Sequence, residues 1–312
     1  MTAPPARNAV LAIQALYVVA AATIMTFTVG TPGITSVFLL VAIIGLWSSR
    51  RMVGLVVDLA PFFFLIVCYE DLRGFADNIS PFQVHVSELV RAERFLFGGI
   101  PAAWLQTHIS SRVVVWASML FYGMHFIYPL ILGVLLWVKL RSEYWRYMLG
   151  LMVMTYTGFI CYLLFPAAPP WWASHFGFIS ERIQVLGIPA EIMLQTPNPV
   201  AAFPSLHGGY AAYVAIYAIN TWRRPALWTL LIPAGVTFAC IMLGHHYLVD
   251  LLAGYVLAAG AFSLSQAPRF HRLAAATGSL FSSVPPIQPE PLPPVEKVHG
   301  DGQAAIYQKA EP

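Results

Sequence analysis

The segment AAFPSLHGGYAAY, residues 201–213, places a Pro-Ser-Leu-His step in front of an apolar run. Further along the chain, LGHHYLVDLLAGY, residues 243–255, opens a second apolar run with two histidines and an aspartate. Ionisable side chains within membrane-type apolar segments are costly and usually functional. These two segments therefore decide both the class of fold and the position of the candidate site.

The composition is that of a membrane protein. Of the 312 residues, 58% are hydrophobic and only 10% are charged, and the mean hydropathy is +0.69. Soluble domains carry roughly 25% charged residues, so a soluble protein is excluded. Several apolar runs reach the ~20 residues that a helix needs to cross a bilayer. The sequence predicts an all-α, polytopic membrane protein.

The pattern of apolar runs predicts about eight transmembrane helices. The second and third are separated only by SSRRM, which is typical of a tight turn. The three cysteines lie inside apolar runs without CxxC spacing, so neither a disulfide framework nor a cysteine-based metal knuckle is predicted. The predicted helices cover residues 9–28, 34–49, 52–69, 113–138, 147–165, 206–221, 226–243 and 246–265.

The distribution of lysine and arginine predicts the orientation. With the N-terminus in the cytoplasm, twelve basic residues lie inside and five lie outside, and the opposite orientation reverses these numbers. Both termini are therefore predicted to be cytoplasmic. The inner residues are Arg7, Arg50, Arg51, Lys139, Arg141, Arg146, Arg223, Arg224, Arg269, Arg272, Lys297 and Lys309, and the outer ones are Arg73, Arg91, Arg94, Arg112 and Arg182.

Four segments follow from this topology. Residues 1–70 form N-terminal transmembrane helices, and residues 71–112 form an extracytoplasmic segment whose mixed charges and aromatic residues suit short helices in the membrane interface. Residues 113–266 form a helical core. Residues 267–312 end in a Pro-rich, polar stretch and are predicted to be a disordered cytoplasmic tail.

The predicted topology brings His207, His246 and Asp250 to the same outer face. Asp250 follows His246 by four residues, which places both side chains on one face of a helix. The carboxylate can then accept the Nδ1 proton of His246 and leave Nε2 free to attack phosphorus. His207 has the chemistry to protonate the departing oxygen. This arrangement predicts phosphoryl transfer at a membrane surface.

The start of the sixth predicted helix has the features of an anion site. Ser205 is placed to cap the helix, and the backbone N–H groups at a helix start attract phosphate. Gly208 lets a phosphate approach the backbone closely. His245 points about 100° away from His246 on a helix, so it is a candidate headgroup contact or a capping residue.

These motifs resemble the phosphatidic-acid phosphatase type 2 (PAP2) superfamily. PSLH and HHYLVDLLAG stand where that family has Pro-Ser-Gly-His and then Ser-Arg-x5-His-x3-Asp. The resemblance implies a six-helix core over about residues 113–265. It also implies that His246 is the nucleophile, that Asp250 orients it and that His207 is the general acid.

The chain departs from the broad family in its cations. Ala239 and Cys240 occupy the positions of the Ser-Arg pair, and the Lys-x6-Arg-Pro motif is absent. LFPAAPPWW (164–172), HHYLVD and YEDLRG (69–74) are instead similar to the inositol phosphorylceramide synthase branch, with sphingomyelin synthases as relatives. This similarity extends over about residues 69–255 and favours transfer to an alcohol.

Other basic residues must then stabilise the phosphate. Arg73 is the first candidate, followed by Arg94 and Arg91, because the guanidinium fork suits phosphate. Each has a structural alternative. Arg73 has acidic neighbours in YEDLRG, and the other two arginines could pair with Glu88 and Glu93 along an interfacial helix.

Three alternatives stay open at this point. A PAP2-type phosphatase would share the first half-reaction and pass the phosphoryl group to water. A metal- or haem-binding membrane protein would use His207, His245, His246 and Asp250 as ligands, although adjacent histidines do not share one face of a helix. A transporter would need broken helices at matched positions in two halves, and the sequence shows none.

The sequence therefore predicts an integral membrane lipid phosphotransferase that acts at the outer leaflet and needs no cofactor. Its substrates are a membrane phospholipid, with phosphoinositol as a candidate headgroup, and a lipid acceptor, with no nucleic-acid partner. The Ala-rich, Lys-poor composition favours a bacterial cell membrane. His125, within a predicted helix, is interpreted as a polar packing contact. Asp58, also within a predicted helix, is a candidate structural hydrogen-bond partner and is left unassigned.

Overall fold

The computed structural model describes residue 16, residues 50–186 and residues 198–282. The predicted helices 9–28 and 34–49, and the tail after residue 282, lie outside these described residues apart from the single helical residue 16. In the described ranges the regular elements are helices, and the only pairing of β type consists of isolated bridges at Ala167. The all-α prediction is confirmed for this part of the chain.

The described residues form eleven α-helices and one 3₁₀ helix. In chain order they are α1 (Arg50–Ile79), α2 (Ser87–Phe97), α3 (Pro101–His108), α4 (Arg112–Gly123), α5 (Ile127–Lys139), α6 (Arg141–Leu164), α7 (Pro170–His175), α8 (Leu206–Trp222), the 3₁₀ helix Arg224–Leu230, α9 (Leu231–Met242), α10 (Leu248–Ser265) and α11 (Pro268–Phe281).

Three described elements are long and apolar enough to cross a membrane. They are α6, α10 and the continuous stretch Arg224–Met242, which joins the 3₁₀ helix to α9. The pair formed by α4 and α5 passes the same test and is bent by 46°. These elements correspond to four of the predicted transmembrane helices. The count of eight and the six-helix core stay predictions.

The bend between α4 and α5 replaces the single helix predicted over residues 113–138. Pro129 has no N–H to donate to the carbonyl of His125, and its ring would clash with that carbonyl in a continuous helix. The chain therefore turns at residues 124–126. His125 lies in this turn, with only 5% of its surface exposed.

The predicted tail begins too early, because residues 268–281 form α11. Pro268 occupies the first turn, where a missing N–H costs nothing. Phe270, Ala274 and Gly278 are buried and recur every four residues, so they form one face of the helix. A Cβ on Gly278 would lie 2.9 Å from the ring of Trp145. This buried face explains why a segment near the Pro-rich stretch is helical.

A buried carboxylate anchors α1 to the core. Asp58 is fully buried and accepts hydrogen bonds from Trp137 Nε1, at 2.8 Å, and from the guanidinium of Arg141. The hydroxyl of Tyr144 donates to the backbone carbonyl of Asp58 at 3.0 Å. These contacts give Asp58, which the sequence left unassigned, a structural role. Helix α1 also continues to Ile79, past its predicted end at residue 69 and into the segment predicted to be interfacial.

Helices α8 and α10 meet at backbone distance. A Cβ on Gly254 would lie 2.1 Å from the carbonyl oxygen of Ser205 and 3.1 Å from the nitrogen of Gly209. The N–H of Ser205 also donates to the carbonyl of Asp250 at 2.9 Å. Glycine at position 254 therefore permits the contact that holds the starts of α8 and α10 side by side.

We expect Gly254→Ala to destabilise the protein by roughly 1–3 kcal/mol or more, because the new methyl group overlaps backbone that cannot rotate away. The midpoint of thermal unfolding in detergent measures this effect. Gly260→Ala lies in the same helix, and nothing stands within 4 Å of its new Cβ. That control should be neutral or slightly stabilising. Equal midpoints for the two variants would contradict the close contact.

Candidate active site

A pocket of about 350 Å³ opens at the starts of α8 and α10. The end of α1, the break between α4 and α5, and the turn before α10 also contribute to its wall. Two of the three predicted catalytic residues, His207 and His246, line it, and Asp250 stands behind His246. Its polar side chains are Tyr69, Arg73, Tyr122, His125, Tyr162, Asn198, His207, Tyr210, His245 and His246.

His246 stands between the other two predicted catalytic residues. Its Nδ1 lies 3.4 Å from Oδ2 of Asp250, and its Nε2 lies 3.0 Å from Nδ1 of His207. The helix α10 begins only at Leu248, so His246 belongs to the preceding turn rather than to the helix. The predicted spacing still brings the imidazole and the carboxylate together, because Asp250 lies in the first helical turn.

The carboxylate of Asp250 contacts both the imidazole of His246 and the backbone of the turn before α10. Its carboxylate is fully buried, and Oδ2 accepts a hydrogen bond from the backbone N–H of Tyr247 at 2.9 Å. Within the described part of the chain, Oδ1 has no hydrogen-bond partner. A small rotation of the carboxylate therefore offers His246 a second acceptor atom.

The surroundings keep the ring of His246 neutral. Burial lowers the pKa of His246 to about 4, and a hydrogen bond to the backbone of Ala202 opposes this shift only in part. Because Nδ1 faces a carboxylate, the ring proton belongs on Nδ1, and Nε2 carries the lone pair. His207 then donates its Nδ1 proton to that lone pair. The arrangement presents an uncharged, oriented nucleophilic nitrogen.

The adjacent His245 also faces the pocket, contrary to the expectation that it points away. Both histidines lie in the non-helical turn, where their N–H groups donate to the carbonyl of Cys240. The helical angle that separates neighbouring side chains therefore does not apply. Burial, together with the neighbouring His246 and His125, lowers the pKa of His245 to about 3.

Two aromatic side chains from the α4–α5 region complete the cluster. The ring of Tyr122 stacks on His207 at 4.5 Å and on His245 at 4.6 Å between centroids. The ring of His125 lies 4.1 Å from that of His207. Sequence reasoning interpreted His125 as packing, and the signal that could have placed it in the pocket is Pro129, which breaks the helix at His125.

Of the three predicted phosphate-binding arginines, the structure brings only Arg73 to the pocket, and no other described lining residue is Arg or Lys. Arg94 instead makes a two-pronged ion pair with Glu181 at 2.7 and 2.8 Å. Arg91 is exposed and donates to the backbone carbonyl of Ser87 at 3.3 Å. Among the ion pairs of the described residues, neither Arg91 nor Arg94 pairs with Glu88 or Glu93.

Ser205 and Gly208 act within the fold rather than in the pocket wall. Ser205 caps α8 as predicted, with its side-chain oxygen accepting from the N–H of Gly208 at 3.3 Å. A Cβ on Gly208 would lie 2.9 Å from the side chain of Leu251. Gly208 therefore serves close packing of α8 on α10, which differs from the predicted approach of a phosphate.

Glu93 was missed as a residue that shapes the site. It is 1% exposed, and its two carboxylate oxygens accept from the N–H groups of Leu248, at 2.9 Å, and Val249, at 3.1 Å. Burial raises the pKa of Glu93 to about 7, and the two N–H donors oppose that shift. Glu93 on α2 thus caps α10 directly behind the turn that carries His246.

The metal-binding alternative would need several ligand side chains around one point. Among the described residues, no group of three or more His, Cys, Asp or Glu side chains has an arrangement that could hold a metal ion. The histidine rings make stacking and hydrogen-bonding contacts with one another and with Tyr122. The residues of this pocket therefore do not favour the metal-binding alternative.

The chain belongs to the PAP2 superfamily. The profile of that superfamily matches residues 87–264, which is more than half of the chain and includes His207, His246 and Asp250. With its apolar helices, the protein is a membrane enzyme of the PAP2 phosphotransferase or phosphatase type.

Three curated relatives narrow the branch to proteins similar to inositol phosphorylceramide synthases. Phosphoinositol dihydroceramide synthase from Bacteroides thetaiotaomicron is 29% identical over 225 residues, covering 64% of this chain and 73% of the relative. The inositol phosphorylceramide synthase catalytic subunits of Schizosaccharomyces pombe and Saccharomyces cerevisiae are each 26% identical, over 211 and 238 residues. Those matches cover 61% and 69% of this chain, and 49% and 57% of the fungal proteins. The chain thus spans about half the length of the fungal relatives, and no solved structure matches it significantly.

We expect Glu93→Ala to destabilise the protein by roughly 1–3 kcal/mol, because two buried N–H groups lose their acceptors. Turnover should fall as well, since the turn before α10 carries His246. Thermal unfolding in detergent and the initial rate measure the two effects. Glu88→Ala is the matched control on the same helix, because Glu88 is exposed. A Glu93→Ala variant as stable as the control would show that the cap is dispensable.

Proposed function

We propose that the protein is an integral membrane lipid phosphotransferase with His246 as its nucleophile. It moves a phosphorylated headgroup, such as phosphoinositol, from a phospholipid to a lipid hydroxyl. The observation that carries the proposal is the 3.0 Å contact between His246 Nε2 and His207 Nδ1, with Asp250 behind His246. The relatives are named for the synthesis of inositol phosphorylceramide or phosphoinositol dihydroceramide, and these names support this substrate class.

In the first half-reaction, Nε2 of His246 attacks phosphorus while the bond from phosphorus to the diacylglycerol oxygen breaks. In-line displacement places the leaving oxygen opposite Nε2, so the two histidine rings must move apart to admit the phosphoryl group. Burial disfavours a charged His207, whereas a bound anionic phosphodiester favours it, so His207 takes up a second proton when the donor lipid binds. The doubly protonated ring then gives a proton to the leaving oxygen. Asp250 keeps the Nδ1 proton in place and stabilises the positive charge that develops on His246.

In the second half-reaction, a hydroxyl of the acceptor lipid attacks the phosphorylated His246. The new oxygen–phosphorus bond forms as the nitrogen–phosphorus bond breaks, and the electron pair returns to Nε2. His207, now neutral, takes the proton of the hydroxyl. The burial of both imidazoles limits access of water, which would otherwise hydrolyse the intermediate.

The charge of the pocket fits a phosphodiester. The positions of the family's Ser-Arg pair hold Ala239 and Cys240, which are fully buried in α9. Arg73 is then the proposed cation for the phosphate, and one guanidinium matches the single negative charge of a phosphodiester. A terminal phosphomonoester, with about two negative charges, would call for more donors.

The orientation belongs to the same proposal. Eight transmembrane helices with a six-helix catalytic core place His207 and His246 at the outer face of a bacterial cell membrane, with both termini in the cytoplasm. The support is the excess of lysine and arginine in the predicted inner segments. Helix α2 fits an interfacial position, since Phe95 is 87% exposed beside the buried Glu93.

We expect His246→Ala, His207→Ala and Asp250→Asn each to lower turnover by at least a hundredfold without loss of folding, because each removes a chemical step. The test supplies phosphatidylinositol labelled in its phosphate, with a short-chain ceramide, to the purified protein in detergent. His108→Ala, an exposed histidine on α3, is the control and should retain full activity.

The labelled product decides between the candidates. Label on the ceramide, with release of diacylglycerol, supports the transferase. Label on free inositol phosphate or inorganic phosphate in the presence of ceramide would favour the hydrolytic alternative. Full activity of His246→Ala would show that His246 is not the nucleophile, whether the protein is a transferase or a hydrolase.

We expect Arg73→Gln to lower kcat/KM for the donor lipid by roughly 10²–10³, the usual loss when a donor to the transition-state oxyanion is removed. Arg73→Lys should recover part of the rate, because it restores the charge without the fork. Arg94→Gln, whose partner is Glu181, is the matched control. Equal losses in Arg73→Gln and Arg94→Gln would point to a general electrostatic effect instead.

A further inference from the structure

We propose that His125 binds a second hydrogen-bond donor on the acceptor lipid, next to the hydroxyl that reacts. This inference rests on the proposed transferase function. The acceptor class is a lipid alcohol that carries an amide N–H or another hydroxyl beside its reactive hydroxyl. An alcohol or glyceride without such a donor lacks this contact.

The position of His125 points to a role in binding. The break that Pro129 imposes between α4 and α5 turns His125 out of the helical ladder and into the pocket wall. Non-helical backbone within a membrane-crossing element is tolerated where it is buried in protein or lines a cavity. The side chain is 5% exposed, so it belongs to the interior of the pocket rather than to the lipid-facing surface.

The hydrogen bonds of His125 define which atom is available. Nδ1 lies against the backbone carbonyl of Tyr122, which can only accept, so Nδ1 must carry a proton. In the neutral ring, Nε2 therefore holds a lone pair. Within the described part of the chain, Nε2 has no hydrogen-bond partner. Since His125 lines the pocket, a donor group on a bound ligand can be the partner of this atom.

The chemistry of that atom excludes the phosphate itself. A lone pair repels the anionic oxygens of a phosphodiester, whereas it attracts O–H and N–H groups. The headgroup phosphate is placed by His246 and Arg73. The ring of His125 lies 4.1 Å from that of His207, the residue that exchanges a proton with the alcohol oxygen. A donor group adjacent to that oxygen therefore falls beside His125.

This contact also distinguishes the acceptor lipid from diacylglycerol, the alcohol that the first half-reaction releases. Both halves of the reaction place an alcohol oxygen opposite His246, so His207 alone treats the two alcohols alike. Diacylglycerol has ester groups beside its hydroxyl, and esters donate no hydrogen bond. A site built to accept a hydrogen bond discriminates strongly against a molecule that cannot supply one. His125 is thus a specificity-determining residue for the acceptor.

The test compares two acceptors and two substitutions. The donor is phosphatidylinositol, and the acceptors are a short-chain ceramide, which has an amide N–H and a second hydroxyl, and hexadecanol, which has neither. His125→Asn retains a donor towards the carbonyl of Tyr122 but lacks an atom at the Nε2 position. His125→Gln places an amide oxygen near that position. It therefore tests whether another hydrogen-bond-accepting atom can replace Nε2.

We expect His125→Asn to lower kcat/KM for ceramide by roughly tenfold or more, the consequence of one lost hydrogen bond in a buried site. The preference for ceramide over hexadecanol, measured as the ratio of their kcat/KM values, should fall by the same factor, and His125→Gln should recover much of that preference. Equal losses with both acceptors, or unchanged preference for ceramide, would overturn the inference while the transferase stands. A wild-type protein that transfers phosphoinositol to neither acceptor would overturn the proposed function itself.

Discussion

The backbone N–H groups at the start of α10 need hydrogen-bond acceptors. The geometry of the rest of the site depends on which side chains supply those acceptors. They point into a protein interior where no bulk water can satisfy them. Asp250 accepts from Tyr247, and Glu93 accepts from the two residues that follow. The helix dipole favours negative charge at this end, which offsets part of the cost of burying two carboxylates. Since His246 immediately precedes these groups, the same contacts set the position of its ring.

The centre of the site was predictable because it is local. A histidine and an aspartate four residues apart meet whether the first lies on a helix or just before it, and an alternating topology brings His207 to the same face. The surrounding residues were not predictable in this way. Glu93 contacts α10 although more than 150 residues of sequence separate them. For an arginine such as Arg94, the sequence offers several carboxylates as possible partners. Only the folded chain shows that Glu181 is its partner.

The fold was predictable as a class, while its interruptions followed from single residues. Apolar runs identified helices that match α6, α9 and α10, because hydropathy reports directly on burial in lipid or protein. The bend at His125 depends on one proline, which changes the average hydropathy of the run very little. The helix α11 was missed for the opposite reason. Its apolar residues are few, and their spacing, rather than their number, gives it a face to bury.

The buried ion pair at Asp58 has a consequence for the biogenesis of the protein. Trp137 and Arg141, which donate hydrogen bonds to the carboxylate of Asp58, are synthesised some eighty residues later. These two contacts between α1 and the core therefore form only after the start of α6 has been synthesised. A mutation that slows the synthesis or folding of α6 would delay the fixing of α1 as well.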